Sequence, residues 1–320
     1  MRFLRAKETY IFFIVVFMVL LITAFNRIFF SFESVSDILR TLSVPGILAL
    51  GVFLVLVSGG VDISFGALAT VAMYLSGKVM ISFGGNVLTS FMVGIVVGML
   101  LGAINGLIVS KLKIPTIIAT LGTFSVFRST LILTTGGKWM YELPEWFLKF
   151  STFSIWGMPV QAFFYLAIVI ITWAILKYTL IGRGVYAVGG NQEAAFRVGF
   201  NVFKIQMFIY IYAGLLAGVA GVLNITIAEV VDPRSFTGIE FPVIAAVVLG
   251  GASIMGGTGT VPGTVFGSLF VAIMNRGLVL MRVSSFWHEV IVGLLIIISV
   301  SLDAIQKSIR EKRKVIVSFE

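Results

Sequence analysis

The chain has no cysteine and a single histidine, His288, in 320 residues. Without thiols there are no disulfides, no iron–sulfur clusters and no thiolate metal sites, and cysteine usage leaves the redox compartment undetermined. The histidine falls where the last apolar run begins, an interfacial position, and no His/Asp/Glu group has metal-ligand spacing. Charge is scarce too: Asp, Glu, Lys and Arg make up 12% of the chain, against about a quarter in soluble domains. No G-x-x-x-x-G-K-[ST] stretch occurs, so the chain has no ATP-binding P-loop of its own. The convergent titratable groups of an enzyme are missing, and neither a catalytic residue nor a cofactor is expected.

What fills the chain instead is apolar: 59% of residues are hydrophobic and the mean hydropathy is +1.09. Runs of roughly 20 apolar residues recur throughout, each able to cross a hydrocarbon core of about 30 Å. The expectation is an all-α polytopic membrane protein, one domain over 1–320, with about ten transmembrane helices. The spans fall near 10–30, 38–57, 62–82, 87–110, 116–135, 161–181, 204–228, 241–256, 261–281 and 286–305. The first, after MRFLRAKETY, lacks a small-residue cleavage site and reads as an uncleaved span.

Orientation follows from Lys and Arg. With the N-terminus inside, the cytoplasmic segments collect 14 of the 23 cations against 6 of the 14 acids. A basic tail at about 306–320 contributes five of these cations. Both termini are therefore placed in the cytoplasm. The net charge of +9 is spread over loops and flanks, which suits a lipid bilayer and not nucleic acid. The long outer loop 136–160 carries Trp139, Tyr141, Trp146 and Trp156, as an interfacial belt, a docking surface or a sugar-stacking platform would. The next outer loop is acidic, with Glu229, Asp232, Arg234 and Glu240, as either a solvated loop or a salt-sensitive docking surface for a soluble partner would be.

Small residues recur at helical spacing. Gly94, Gly98, Gly102 and Gly106 share a face of the fourth span, Gly214 and Gly218 a face of the seventh, and Gly259, Gly263 and Gly267 one at the ninth. Such faces let helix backbones approach closely where lipid offers no hydrophobic drive. The fourth span ends GAINGL around Asn105 and the ninth AIMNRGL around Asn275. Similarity at an offset of five spans places the copies in opposite orientations, the pattern of an inverted repeat.

Two polar features interrupt the apolar background. The loop Ser58-Gly59-Gly60-Val61-Asp62-Ile63-Ser64 permits a broken backbone, with Asp62 as a cap for the next helix or as part of a translocation pathway. Leu249-Gly250-Gly251-Ala252-Ser253 echoes it without charge. Thr116, Thr120, Thr123 and Thr130 line one face of the fifth span with Phe127. Their hydroxyls either bond back to the preceding turn or offer a path to a neutral polyol. Asp62 is the only carboxylate expected at depth, too little for an ion-coupled secondary carrier, so energy is expected from elsewhere.

The longest polar interruption of the second half is 182–204, GRGVYAVGGNQEAAFRVGFNVFK. Here Gly189-Gly190 is expected to break the backbone, Asn191 to cap a short helix, and Glu193 to favour its positive end. Gly199 stops it and Asn201 starts the following span.

SGGVDISFGALA, KLKIPTIIATLGT, AVGGNQEAAFRVGFNVFKI, YAGLLAGVAGVL and AAVVLGGASIMGGTGTVPGTVFGSLF, in this order and over nearly the whole chain, resemble ribose-type ABC importer permeases. That resemblance implies the ten-span, vitamin-importer-like fold and a transmembrane subunit in the inner membrane. It also implies three partners: a second permease copy or a paralogue, an extracytoplasmic substrate-binding protein, and a cytoplasmic ABC ATPase, often fused in tandem. The segment matching Gly189, Gly190, Asn191, Glu193, Ala194, Ala195, Arg197 and Gly199 would be the part that contacts the ATPase. Pathway candidates are Gly59, Gly60, Asp62, Ser64, Asn105, Thr116, Thr120, Thr123, Phe127 and Asn275. Ribose or a related sugar is the expected solute. A nucleoside, a furanosyl signalling molecule and a branched-chain amino acid are the alternatives.

Overall fold

The computed structural model describes residues 6–284, 286, 287, 289–294, 297 and 301. His288 and the basic tail 306–320 lie outside the described residues. The named helices are α1 (Ala6–Phe25), α2 (Phe32–Val57), α3 (Phe65–Phe83), α4 (Val87–Leu112), α5 (Thr116–Thr135), α6 (Glu145–Ser151), α7 (Val160–Tyr178), α8 (Leu180–Gly190), α9 (Gln192–Arg197), α10 (Val202–Ala228), α11 (Glu240–Leu249) and α12 (Val261–Leu280). A short hairpin of β1 (Ser154–Ile155) and β2 (Met158–Pro159) follows α6.

Among the described residues, seven helices are long and apolar enough to cross a membrane: α2, α3, α4, α5, α7, α10 and α12. Shorter apolar helices, Thr9–Phe25 and Glu240–Leu249, fall where the first and eighth spans were expected. The tenth, 286–305, lies partly outside the described residues. The chain is thus a multi-pass membrane protein of the all-α class, its one short hairpin among the described residues lying between α6 and α7.

Three boundaries differ from expectation, each for a local reason. The span expected over 161–181 stops at Tyr178, because Thr179 turns extended and its hydroxyl accepts the Gly182 N–H to start α8. The span expected to reach 256 ends at Leu249, where Gly251 takes φ +86°. The third begins at Phe65, not at 62. Asp62 does not cap it from the end position, which Ser64 holds; the Asp62 carboxylate instead accepts from the Ser64 backbone N–H and hydroxyl.

The core is organised on α10. It packs on α2, α3 and α4, and α10 and α2 are each buried over most of their length, whereas α4, α5 and α7 turn most of theirs outward. The seam between α4 and α10 is built from the expected glycine faces. A Cβ at Gly98 would collide with the Gly214 carbonyl oxygen, one at Gly102 with that of Tyr210, and one at Gly218 with that of Gly94. Only hydrogens fit between these backbones, so dispersion acts at its shortest range along three turns. Gly263 and Gly267 do the same for α12 against α11, meeting the carbonyls of Gly250 and Ala246. Gly259, assigned to the same stripe, instead lies in the loop before α12.

The aromatic loop after α5 is more ordered than its composition announced. Met140 pairs with Val231 through two backbone hydrogen bonds of 3.0 Å, joining it to the acidic loop. Trp156 stands almost fully exposed at the hairpin tip, while Trp146 packs against the core.

Candidate functional site

The polar handle folds largely as its residues dictate. The Asn191 side chain accepts the Ala194 N–H at 2.9 Å, and Asn201 accepts that of Lys204 at 3.0 Å, each satisfying a donor that a helix start leaves orphaned. Gly199 at φ +93° closes α9, with Phe200 N–H donating to the Ala195 carbonyl. Glu193 and Arg197 pair at 3.8 Å in full solvent. Ala195 is buried against the body, whereas Phe196 and Val198 are 71% and 73% exposed. Phe196 on this six-residue helix and Val198 just after it thus leave two large apolar side chains uncovered among the described residues.

The glycine pair does not break the helix. Gly189 and Gly190 are the last two residues of α8, and the backbone turns at Asn191. Gly189 is required for approach instead: a Cβ there would strike the Val57 carbonyl oxygen at the end of α2. That oxygen accepts the Gly257 N–H at 2.8 Å, and a Cβ on Gly256 would lie 2.7 Å from the Gly59 Cα. The foot of the handle, the end of α2 and the loop preceding α12 therefore meet backbone to backbone. Backbone atoms of the three segments are in direct contact there.

Beyond Gly59 and Gly60 the loop is held by the threonines of α5. Thr116 Oγ1 accepts the Val61 N–H at 2.9 Å, and Thr120 Oγ1 accepts that of Ile63 at 3.3 Å and donates to the Val61 carbonyl at 3.2 Å. Thr123 bonds back to the Thr120 carbonyl. The Thr116 and Thr120 hydroxyls support the irregular backbone, which must be satisfied internally at this depth. Phe127 is half-buried and Thr130 exposed.

Asp62, Ser64 and Asn105 form a buried chain. Ser64 Oγ donates to Asp62 at 2.6 Å, so its lone pairs are free to accept the Asn105 Nδ2–H at 2.7 Å. This ties the loop to α4. Asn105 Oδ1 and the Tyr210 hydroxyl are buried without hydrogen-bond partners among the described residues. Asn275 does not join them. It is exposed on α12 and lines a cavity of about 760 Å³ near the other end of α2, beside Asp37, Arg40 and Arg276.

Arg276 bridges to Asp37 at 2.9 Å, a pair 239 positions apart in the sequence that inspection of the chain missed. The available signal was an arginine inside an apolar span, which by default marks a functional position. Among the described residues no group of three His, Cys, Asp or Glu could hold a metal ion.

The family described as "Branched-chain amino acid transport system / permease component" matches residues 34–300. The chain belongs to this permease family. The permease is 36% identical over 288 residues to the ribose import permease protein RbsC of Bacillus subtilis, covering 89% of each chain. It is 33% identical over 309 residues to RbsC of Haemophilus influenzae, covering 94% of each. With the autoinducer 2 import system permease protein LsrC of Photorhabdus laumondii it shares 30% identity over 92% of the permease and 89% of that relative. No solved structure matches the permease.

Proposed function

We propose that this chain is the membrane-spanning subunit of a binding-protein-dependent ABC importer that moves a monosaccharide, ribose or a related sugar, into the cytoplasm. The observation that carries the reading is the construction of α9: a capped helix with Phe196 and Val198 exposed, based on backbone contacts with the end of α2 and the loop before α12. It has the form of a docking knob for a cytoplasmic ATPase, whose hydrolysis drives a change of access that the permease itself does not catalyse. Names of the relatives with ribose and autoinducer 2 as solutes favour a furanose-like sugar over the amino acid of the family description.

A ten-span single domain with both termini cytoplasmic goes with this reading, as does pairing with a second copy or a paralogue beneath a soluble binding protein. The inverted repeat between the fourth and ninth spans stays part of this reading, and α2 and α11, which run in the same direction, stop on the same motif. Gly60 N–H bonds to Val55 and Ala252 N–H to Val247, with Gly59 and Gly251 at φ +85° and +86°.

The test is Glu193→Lys. The exposed ion pair it removes contributes about 0.3–0.5 kcal/mol, so abundance and melting should hold. Uptake of labelled D-ribose per ATP hydrolysed by the complete transporter should fall several-fold. Unchanged coupling at normal abundance would count against α9 as the ATPase contact.

A further inference from the structure

The geometry points to the cavity between α2, α11 and α12 as the permease's own solute site, built for an uncharged polyhydroxylated molecule of monosaccharide size. The inference rests on the reading of the chain as an importer subunit for small solutes, and it assigns residues and a chemical class within it. At about 760 Å³ the cavity lies within the range of roughly 300–1,000 Å³ of small-molecule pockets. Its walls carry Asp37, Arg40, Arg276 and Glu289, two charges of each sign, so the site has no net charge to offer.

The charges are also largely engaged. Arg276 pairs with Asp37 at 2.9 Å and points its Nε at Ser34 Oγ, 3.4 Å away. Arg40 donates through Nη2 to the Thr226 carbonyl at 3.1 Å. A carboxylate or phosphate entering here would have to break an existing ion pair to gain one. A hydroxyl, donor and acceptor at once, can bond beside these groups and leave them in place.

Other groups are unspent. Ser268 on α12 is 4% exposed, and its Oγ lacks a hydrogen-bond partner among the described residues; so does the buried Nε of Arg40 on α2. Pro45 has no N–H to give the Thr41 carbonyl, and both residues line the same space. Asn275 stands two turns above Ser268 on the same face of α12. Buried polar atoms left unpaired are costly in a folded chain; Ser268 and Arg40 line the cavity from different helices, and a side-chain rotation that turns these two atoms toward it would let a hydroxyl-rich ligand satisfy them. Val243, Ala246 and Val271 supply apolar wall for the C–H faces of a sugar ring.

The absence of native cysteine makes a direct test available. Ser268→Cys and Asn275→Cys each create the only thiol in the full-length permease. In membrane vesicles holding the complete transporter, both should react with methyl methanethiosulfonate. D-ribose at ten times its half-saturating concentration should slow that reaction about tenfold, while L-leucine and adenosine leave it unchanged. Gly122→Cys, on an open face of α5, should show no protection. Asn275 is exposed and tolerant, so a folding failure of the Ser268 variant still leaves a readable site. Protection by leucine or adenosine in place of ribose would overturn the polyol assignment together with the sugar reading. Labelling insensitive to every solute, in vesicles that take up D-ribose, would overturn the site and leave the sugar reading standing.

Discussion

Gly189→Ala and Gly190→Ala are the same change made one residue apart at the end of α8, and the structure sets them against each other. In a helix interior each replacement gains up to about 1 kcal/mol from lower unfolded-chain entropy. At Gly190 a Cβ meets nothing within 4 Å, so part of that gain should survive. At Gly189 the Cβ must displace the Val57 carbonyl and lies 2.8 Å from the Gly257 nitrogen. Forcing backbones apart in a packed junction costs about 1–3 kcal/mol, and loss of the Gly257–Val57 hydrogen bond adds about 1 kcal/mol. After the propensity gain, Gly189→Ala should lose about 1–3 kcal/mol. At about 2–4 °C per kcal/mol, the melting midpoint of the purified permease, followed by tryptophan fluorescence, should fall by roughly 5 °C. The Gly190 variant should melt at or slightly above the unsubstituted protein. Equal midpoints for the two variants would refute the backbone junction as described.

Two other comparisons use the same logic of paired sites. Thr116→Val preserves shape but leaves the Val61 N–H without its acceptor, a loss of about 1–3 kcal/mol; Thr130→Val, on the exposed turn of the same helix, should be neutral in the same melting assay. Gly98→Ala drives a methyl group into the Gly214 carbonyl and should sharply reduce the amount of folded permease recovered from membranes, whereas Gly122→Ala, with open space around it, should be recovered normally.

Period and capping chemistry were readable from the chain because they are local. Gly94, Gly98 and Gly102 declare a face by their spacing alone, and Asn191 and Asn201 declare helix starts by the lone pair each offers a free N–H. What spacing cannot state is the partner of a face. The Gly189-Gly190 pair looked like a break because glycine lowers helix propensity, but its purpose lies in Val57, which is remote in sequence. The threonine stripe of α5 was seen, yet its role depends on the Gly59–Ser64 loop having N–H groups in need of acceptors. Asp37 and Arg276 come from opposite ends of the chain; Asp37 alone resembles an ordinary flanking charge, and Arg276, though inside an apolar span, does not name its partner.

The seam between α4 and α10 also restricts how this bundle can move. Carbonyl oxygens of one helix occupy the spaces that missing β-carbons leave on the other, at Gly98, Gly102, Gly214 and Gly218. An axial slip of about 1.5 Å, the rise of one residue, would carry those oxygens out of the gaps and against the neighbouring backbone. The two helices are thus locked in register like a key in a lock, able to tilt together but not to slide. In the proposed importer a change of access would therefore be taken up elsewhere, where α2 and the loop before α12 meet the foot of α9.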